Sequence, residues 1–176
     1  MKSFADLLIA WHAKSGRHHL PWQQSKDPYS VWVSEIMLQQ TQVTTVIDYY
    51  NRFMKKFPTI KALANADEEE VMQLWSGLGY YRRARFLHEG AQMIVGEMEG
   101  NFPSEFGMMM KIPGIGRSTA GAIAAFSFNQ KKAILDGNVK RVLSRYFLIS
   151  EWTGLPQTEK KLWNYAGSLL PNKNID

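Results

Sequence analysis

Two acidic residues, Glu35 and Asp136, stand in contrasting sequence surroundings. Glu35 lies in the otherwise uncharged segment 31–40, and on a helix Trp32 and Leu38 would lie about one turn away from it. A carboxyl group among apolar neighbours loses solvation when it ionises, so we expect its pKa to rise. Such a group can hold a proton near neutral pH and donate it.

Asp136 has the opposite setting. It precedes Gly137 and a helical pattern that begins at Val139, which makes it a candidate N-cap. The start of a helix and Lys140 one turn ahead both favour the ionised carboxylate. One acid that donates a proton and another that stays charged are typical of glycosidic-bond cleavage. In that reaction the first protonates the leaving group and the second stabilises an oxocarbenium-like centre.

Both carboxylates also have a purely structural interpretation. Glu35 is compatible with a surface position on an amphipathic helix, and Asp136 with an ordinary helix cap. Spacing along the chain does not show whether the two side chains face each other.

A glycine-bearing turn precedes Asp136. Residues 112–116 read Ile-Pro-Gly-Ile-Gly, a pattern that predicts a hairpin followed by a helix starting at or near Ser118. Such a turn can present several backbone N–H groups to one anion, and a DNA phosphate would suit it. The alternative is a pair of turns capped by glycine and aspartate without any ligand.

The rest of the chain predicts helices that would position these groups, and no convincing strand. We therefore expect an all-α fold of about nine helices. Asp67 and Glu70 predict a capping box at one helix start. On the following helix Ala84, Leu87, Ala91 and Ile94 are expected on one face, with Arg82, Arg83 and Arg85 around the rest. The predicted helices lie at about 4–15, 31–39, 43–57, 67–75, 82–96, 104–110, 118 onward, 137–146 and 157–170.

Composition narrows the class of protein. The chain has 176 residues and a net charge of +5, which favours nucleic acid or another anionic partner but is also common in proteins that bind neither. The absence of cysteine excludes disulfides, thiolate zinc sites and cysteine-ligated iron–sulfur clusters within this chain. No cleavable leader or run of about 18 apolar residues is evident, so a soluble, cytoplasmic protein without a membrane partner is expected.

Five motifs occur in order and together resemble the adenine DNA glycosylases of the helix-hairpin-helix superfamily. They cover nearly the whole chain, and five motifs in register are far more specific than any one of them. The motifs are Leu20–Trp22, Ser34–Val43, Gly77–Tyr81, Ile112–Ala122 and Leu135–Leu143.

This resemblance implies two helical lobes with a DNA-binding cleft between them. One lobe would span 16–134 and contain the helix-hairpin-helix motif at about 108–125, while residues 1–15 and 135–176 would form the second. Family members usually continue into more helix, four cysteines that ligate a 4Fe-4S cluster, and a domain that recognises the oxidised guanine. The second lobe is therefore expected to be truncated at its C-terminal end, with no cluster in this chain.

The resemblance also implies an activity, the excision of adenine mispaired with 8-oxoguanine or guanine in base excision repair, by flipping the base out of the duplex. Glu35 matches the catalytic acid, Asp136 the aspartate that stabilises the sugar cation, and Asn138 a supporting polar group. The residues matching the adenine pocket are Arg17, His18, Trp22 and Leu38. Those matching DNA contacts are Gln40, Tyr80, Gly114, Gly116, Arg117, Ser118, Thr119 and Lys140.

Within that match, Ser118 predicts the reaction type. Lyase-active relatives resembling endonuclease III carry a lysine at this position, and serine offers no comparable amine nucleophile, so a monofunctional glycosylase is expected. The alternatives are a weak or inactive DNA-binding fragment and, less consistent with Ser118, a glycosylase with lyase activity. The expected partner is double-stranded DNA, bound by a monomer in a bacterial cytoplasm, and the hairpin carbonyls can also hold a monovalent cation.

Overall fold

The computed structural model describes residues 3–171, which contain ten α-helices, one 3-10 turn and no strand. The all-α prediction is therefore confirmed. The helices are α1 (Phe4–Ser15), α2 (Pro28–Leu38), α3 (Val43–Lys56), α4 (Ile60–Ala64), α5 (Glu68–Trp75), α6 (Arg82–Glu97), α7 (Phe106–Met109), α8 (Arg117–Phe128), α9 (Gly137–Tyr146) and α10 (Pro156–Ser168), with the 3-10 turn at Pro21–Gln23.

Local signals explain where the prediction and the structure differ. The additional helix, α4, has only five residues and is capped by the Thr59 side chain, so it carries too little periodicity to be recognised. The capping box predicted at Asp67 is wrong, because that side chain makes no capping hydrogen bond. Helix α8 begins at Arg117 with Gly116 as its N-cap, one residue before the predicted start.

One large hydrophobic core surrounds α2. Trp32, Val33 and Met37 on this helix are fully buried, and α2 packs against α3, α6 and α8. A helix buried on all sides has no solvent face for charged residues, which accounts for the nearly uncharged sequence of α2. The large core comprises the buried apolar side chains between Tyr29 and Ala124.

Helix α8 is central because its side chains are small. Its residues from Thr119 to Ala125 are all buried, and most are alanine or glycine. A β-carbon at Gly121 would lie 2.5 Å from the carbonyl oxygen of Ala133, so the linker between α8 and α9 passes directly over this glycine. Helix α8 therefore separates α2 on one side from that linker on the other.

A small core joins α9 and α10. Its buried members among the described residues are Leu135, Leu143, Leu162 and Ala166. Next to them the rings of Phe147 and Tyr165 stack with centroids 3.9 Å apart.

Helix α1 lies against this small core with much of its apolar surface uncovered. Ser3 and Asp6 form a capping box, and the Phe4 ring contacts Tyr146 at a centroid distance of 4.6 Å. Leu7 and Trp11, by contrast, are 57% and 58% exposed. No helix in the described range is long and apolar enough to cross a membrane.

Candidate active site

Glu35 lies on α2 at the wall of a cavity of about 450 Å³. Helix α2 starts at Pro28, and the Asp27 side chain caps it by accepting the backbone N–H of Ser30 at 2.9 Å. Because the helix is embedded in the large core, Glu35 is only partly exposed. The cavity is lined by His12, His18, Trp22, Gln23, Ser25, Lys26, Val31, Ser34, Glu35 and Phe126.

Burial and, to a smaller extent, the negative charge of Asp136 together raise the pKa of Glu35 from its ordinary value of 4.5 to about 7. The sequence left open whether these two carboxylates approach each other. The electrostatic effect of Asp136 on Glu35 indicates that they do, with α2 and the linker both packed against α8. At neutral pH Glu35 is therefore able to carry a proton beside a second carboxylate.

Asp136 caps α9, as its sequence position predicted. Its Oδ1 accepts the backbone N–H of Val139 at 2.7 Å, and the side chain is exposed. Asn138, in the first turn of the same helix, is also exposed, and its Oδ1 accepts a hydrogen bond from Arg141 at 2.8 Å. The two polar side chains predicted to act together thus lie on one exposed helix N-terminus.

The linker that carries Asp136 is fixed to α8 by two contacts. The Ser118 hydroxyl oxygen accepts the backbone N–H of Leu135 at 3.0 Å, one residue before Asp136. Gly121, one turn further along α8, allows the close approach at Ala133. Since α8 also packs against α2, it sets the relation between the two carboxylates.

Two of the four residues predicted for the base pocket line the cavity beside Glu35, and two do not. His18 and Trp22 line it. The Trp22 ring packs edge-on against Tyr50, with centroids 5.4 Å apart. Arg17 lies outside the lining, and its carbonyl accepts a hydrogen bond from Gln23 at 2.9 Å. Leu38 is directed to the large core instead, because it lies at the last turn of α2.

Sequence reasoning missed other residues of this cavity. His12 comes from the end of α1, where its carbonyl oxygen bonds to a ring nitrogen of His18 at 3.0 Å. Gln23 and Lys26 come from the loop before α2. The available signal was their position directly after the Leu20–Trp22 motif, but a loop without periodicity does not show which side chains face inward.

The hairpin between α7 and α8 has the conformation that its glycines predict. Ile112 and Ile115 anchor it in the large core, and the N–H of Ile115 donates to the carbonyl of Ile112 at 3.1 Å. Gly114 has a φ of +77°, and a β-carbon there would also approach Phe86 to 2.9 Å. Gly116 adopts an extended conformation as the N-cap of α8.

Three other residues that were predicted to contact DNA are either buried or already interact with another side chain of the protein. The Arg117 guanidinium stacks over the Trp163 ring at 3.9 Å. The Thr119 side chain is buried, which leaves its backbone N–H as the group able to meet a phosphate. Lys140 forms an ion pair with Glu159 of α10 at 2.7 Å, so a contact with DNA would have to share or break that pair.

Gln40 and Tyr80 lie together although they come from different parts of the chain. With Gly114 they line one open cavity of about 480 Å³. Both have left-handed backbone conformations, with φ of +56° and +51° respectively, and Tyr80 is 61% exposed.

Arg83, on a different side of α6 from its apolar stripe, also lines this cavity. Its guanidinium donates hydrogen bonds to backbone carbonyls at the end of α2 and before Tyr80. The apolar stripe of α6 gave no indication of these acceptors, because they come from other segments.

The chain supplies no thiolate ligand for a metal cluster, since it contains no cysteine. Among residues 3–171, no three His, Asp or Glu side chains are grouped closely enough to hold a metal ion. The residues of this chain therefore do not fit the cysteine-ligated 4Fe-4S cluster of the family that the sequence resembles.

Comparisons with known proteins agree with this architecture. The adenine DNA glycosylase of Buchnera aphidicola subsp. Acyrthosiphon pisum is 49% identical over 171 residues, which cover 97% of this chain and 49% of that protein. The adenine DNA glycosylase of Mus musculus is 46% identical over 177 residues, covering 96% of this chain and 34% of that protein. The chain thus spans half or less of the length of these relatives.

Solved structures show the same fold. A thermostable thymine-DNA glycosylase superposes with a TM-score of 0.88 at 27% identity, over 98% of this chain and 79% of that one. A trapped covalent intermediate of endonuclease III with DNA gives a TM-score of 0.79 at 20% identity, over 95% of this chain and 75% of that one. Residues 33–167 match the family model of the HhH-GPD superfamily base excision DNA repair proteins, and the chain belongs to this superfamily.

Proposed function

We propose that this chain is a monofunctional DNA glycosylase that hydrolyses the N-glycosidic bond of adenine mispaired with 8-oxoguanine or guanine. The observation that carries the proposal is the pairing of Glu35, whose pKa is raised to about 7, with the nearby exposed carboxylate of Asp136. The cavity beside Glu35 has a volume within the range of about 300–1,000 Å³ that is usual for small-molecule sites. The curated relatives named above support adenine as the base.

In this proposal Glu35 acts as the general acid. Its proton passes to a ring nitrogen of the flipped adenine, and the bond between the base and the sugar carbon then breaks with its electron pair leaving on the base. The sugar is left as an oxocarbenium-like cation, which the Asp136 carboxylate stabilises electrostatically, with Asn138 as its polar neighbour. Water then adds to the sugar carbon, and its proton returns to the Glu35 carboxylate.

The DNA-contacting surface would be the hairpin together with the cavity that contains Gln40 and Tyr80. The extended Gly116 and the first N–H groups of α8 are suited to one backbone phosphate, since a helix start carries partial positive charge. Gln40 and Tyr80 would enter the duplex as a wedge that replaces the stacking lost when the base is extruded. Because phosphate contacts release counterions, binding is expected to weaken as salt increases.

The Ser118 hydroxyl supports hydrolysis without strand cleavage. A hydroxyl that accepts the N–H of Leu135 holds the linker and provides no amine to attack the sugar. Borohydride treatment during turnover should therefore trap no covalent complex of enzyme and DNA. Trapping at a yield comparable to turnover would instead establish the lyase alternative.

The test is single-turnover release of adenine from a duplex with one A:8-oxoguanine pair, with enzyme in excess and alkali used to reveal abasic sites. We expect release by the parent protein, loss of release in Glu35→Gln, and parent-like release in Glu89→Gln, an exposed acid on α6. Duplexes with A:G and A:T pairs define the preference for the opposite base. Release by Glu35→Gln at the parent rate would show that Glu35 is not the acid.

A second candidate function is duplex-DNA binding without turnover. It is favoured by the exposure of Leu7 and Trp11 on α1 and by the few buried residues of the small core, which positions Asp136. Salt-sensitive binding without base release on any of these duplexes would select this candidate.

A further inference from the structure

We propose that Arg83 is a positioning residue that fixes Gln40 and Tyr80 relative to each other, so that extrusion of the base depends on it. This inference rests on the proposed function, because it assigns a role within the extrusion step. The guanidinium of Arg83 is directed into the protein, and it acts through backbone groups on both sides of the cavity.

One side of the guanidinium holds the end of α2. Its Nη1 donates to the carbonyl oxygens of Ile36 at 2.9 Å and Met37 at 3.0 Å, and also to that of Gln39. The last carbonyls of a helix have no partner within the helix, and they carry partial negative charge. Arg83 therefore supplies both the missing donors and a positive charge immediately before Gln40.

The other side of the guanidinium holds the loop before Tyr80. Its Nη2 donates to the carbonyl of Gly79 at 3.1 Å and to the Thr41 hydroxyl at 3.3 Å. The same Gly79 carbonyl also accepts the indole N–H of the buried Trp75 at 3.1 Å. The planar guanidinium thus forms hydrogen bonds to groups before and after Gln40 in the chain, and to the residue directly before Tyr80.

Both wedge residues need such support, because a left-handed backbone conformation is unfavourable for residues other than glycine and asparagine. Such a conformation persists in these two residues only when surrounding contacts impose it. In Gln40 and Tyr80 those contacts converge on Arg83. Losing them would let either residue relax to an ordinary conformation and alter the spacing of the wedge.

The geometry requires arginine and not merely a cation. A guanidinium has two terminal nitrogens in a rigid plane, whereas the single ammonium of lysine can serve only one side at a time. The neighbouring arginines have different surroundings and provide controls. Arg85 forms an exposed ion pair with Glu68 at 2.9 Å, and Arg82 lies over the ring of Phe86 at 4.8 Å.

The test separates extrusion from chemistry by using two DNA substrates. The first is the duplex with one A:8-oxoguanine pair, and the second has the same adenine in a short unpaired bubble, where little extrusion is needed. Each hydrogen bond to a charged group contributes roughly 1.5–3 kcal/mol, so we expect Arg83→Lys to lower single-turnover release from the duplex by about tenfold or more. Release from the bubble should change less than about threefold, because the Glu35 cavity is unaltered.

A second readout follows extrusion directly, through the fluorescence of 2-aminopurine placed next to the target base. We expect the increase seen on binding the parent protein to be reduced in Arg83→Lys and retained in Arg85→Lys. Thr41→Val removes only one acceptor, and it should shift both readouts in the same direction by a smaller amount. Circular dichroism and thermal unfolding show whether each variant is folded, and Thr41→Val serves as the test if Arg83→Lys is not.

The outcomes distinguish this inference from the proposed function. Equal losses on duplex and bubble with an unchanged fluorescence signal, or a parent-like rate on the duplex, would overturn the role of Arg83. If the parent protein released no adenine from either substrate, the proposed function would fail. The fluorescence comparison between Arg83→Lys and Arg85→Lys would still decide whether Arg83 positions the wedge.

Discussion

The large core and the small core hold their carboxylates in different ways. Glu35 belongs to α2, which is surrounded by the large core and has fully buried neighbours such as Trp32 and Met37. Asp136 belongs to the start of α9, where the small core includes Leu135, directly before it, and Leu143 on the same helix. Dense packing removes water from the first carboxyl group, whereas the second remains exposed and bonded to a helix N-terminus.

This difference matches what each group would have to do. A proton donor at neutral pH needs a raised pKa, and only burial among apolar groups provides a large rise without a specific partner. A carboxylate that stabilises a cation has to remain ionised, which a cap position at a helix start favours. The packing of each region is therefore consistent with the role that the proposed function gives to its carboxylate.

The most direct way to test the contrast is to make one substitution in each core. Leu87 and Leu162 are both at most 1% exposed, so leucine to alanine removes the same group from each. We expect Leu87→Ala to lower the free energy of unfolding by about 4 kcal/mol and Leu162→Ala by about 2 kcal/mol, since the small core has far fewer buried side chains and can collapse more readily around the cavity. Urea denaturation measures both, and equal losses would show that the two cores are equally rigid.

Removing the charge of Glu35 should stabilise the protein at high pH. The folded protein holds this proton more tightly than the unfolded chain, so the stability it contributes is fully present below pH 4.5 and is lost as the pH rises through about 7. A rise in pKa from 4.5 to about 7 corresponds to roughly 3 kcal/mol. Relative to the parent, Glu35→Gln should therefore gain up to about this amount between pH 4.5 and pH 8.5.

Urea denaturation at the two pH values measures this gain, and Glu89→Gln provides the control on an exposed acid. A constant difference between Glu35→Gln and the parent across this range would contradict the raised pKa. The pH dependence of base release gives an independent check, because activity should fall as the pH rises through about 7 and Glu35 loses its proton.

Two substitutions at Asp136 separate its cap from its charge. Asp136→Asn keeps an oxygen able to accept the Val139 N–H, whereas Asp136→Ala removes it and should cost about 1 kcal/mol of stability. Both variants remove the negative charge, so the pKa of Glu35 should fall and the pH at which base release declines should move down. If base release remains measurable and its pH profile is unchanged in Asp136→Asn, the two carboxylates are not coupled.

The smallest expected effect on stability is at the ion pair between Lys140 and Glu159. The pair is partly exposed, so Glu159→Gln should lower the free energy of unfolding by no more than about 1 kcal/mol. It would also release Lys140, and the affinity for duplex DNA should then rise and depend more steeply on salt. A salt slope identical to that of the parent would show that Lys140 does not reach the DNA.

Sequence patterns predicted the elements whose signals are local. The cap at Asp136 and the hairpin around Gly114 each depend on a few neighbouring residues, and the structure contains both. The rise in the pKa of Glu35 was also predictable, since α2 has no other charged residue. Helix α2 nevertheless starts earlier than expected, because Asp27 and Pro28 form a helix start that the apolar pattern does not include.

Tertiary contacts explain what sequence could not show. Glu35 and Asp136 are far apart in the chain, and only the packing of α2 and the linker against α8 brings them together. The acceptors of Arg83 come from two other segments, so its own helix gave no reason to expect these hydrogen bonds. The exposure of Leu7 and Trp11 likewise depends on what covers α1, whereas periodicity shows only that the helix has an apolar face. The boundaries of the two lobes and the roles of the site residues stay predictions.

Because of the backbone contact at Gly121, replacing this glycine with alanine would have a larger effect than that substitution usually has. Glycine to alanine is favourable in most helices, and a similarity matrix would score it as conservative. Here the added methyl group would meet the backbone of Ala133, and the linker would have to shift with Asp136 attached. We therefore expect this change to displace Asp136 relative to Glu35 and to weaken the proposed catalytic pair, so a judgement of severity based on distance from the reacting bond would underestimate it.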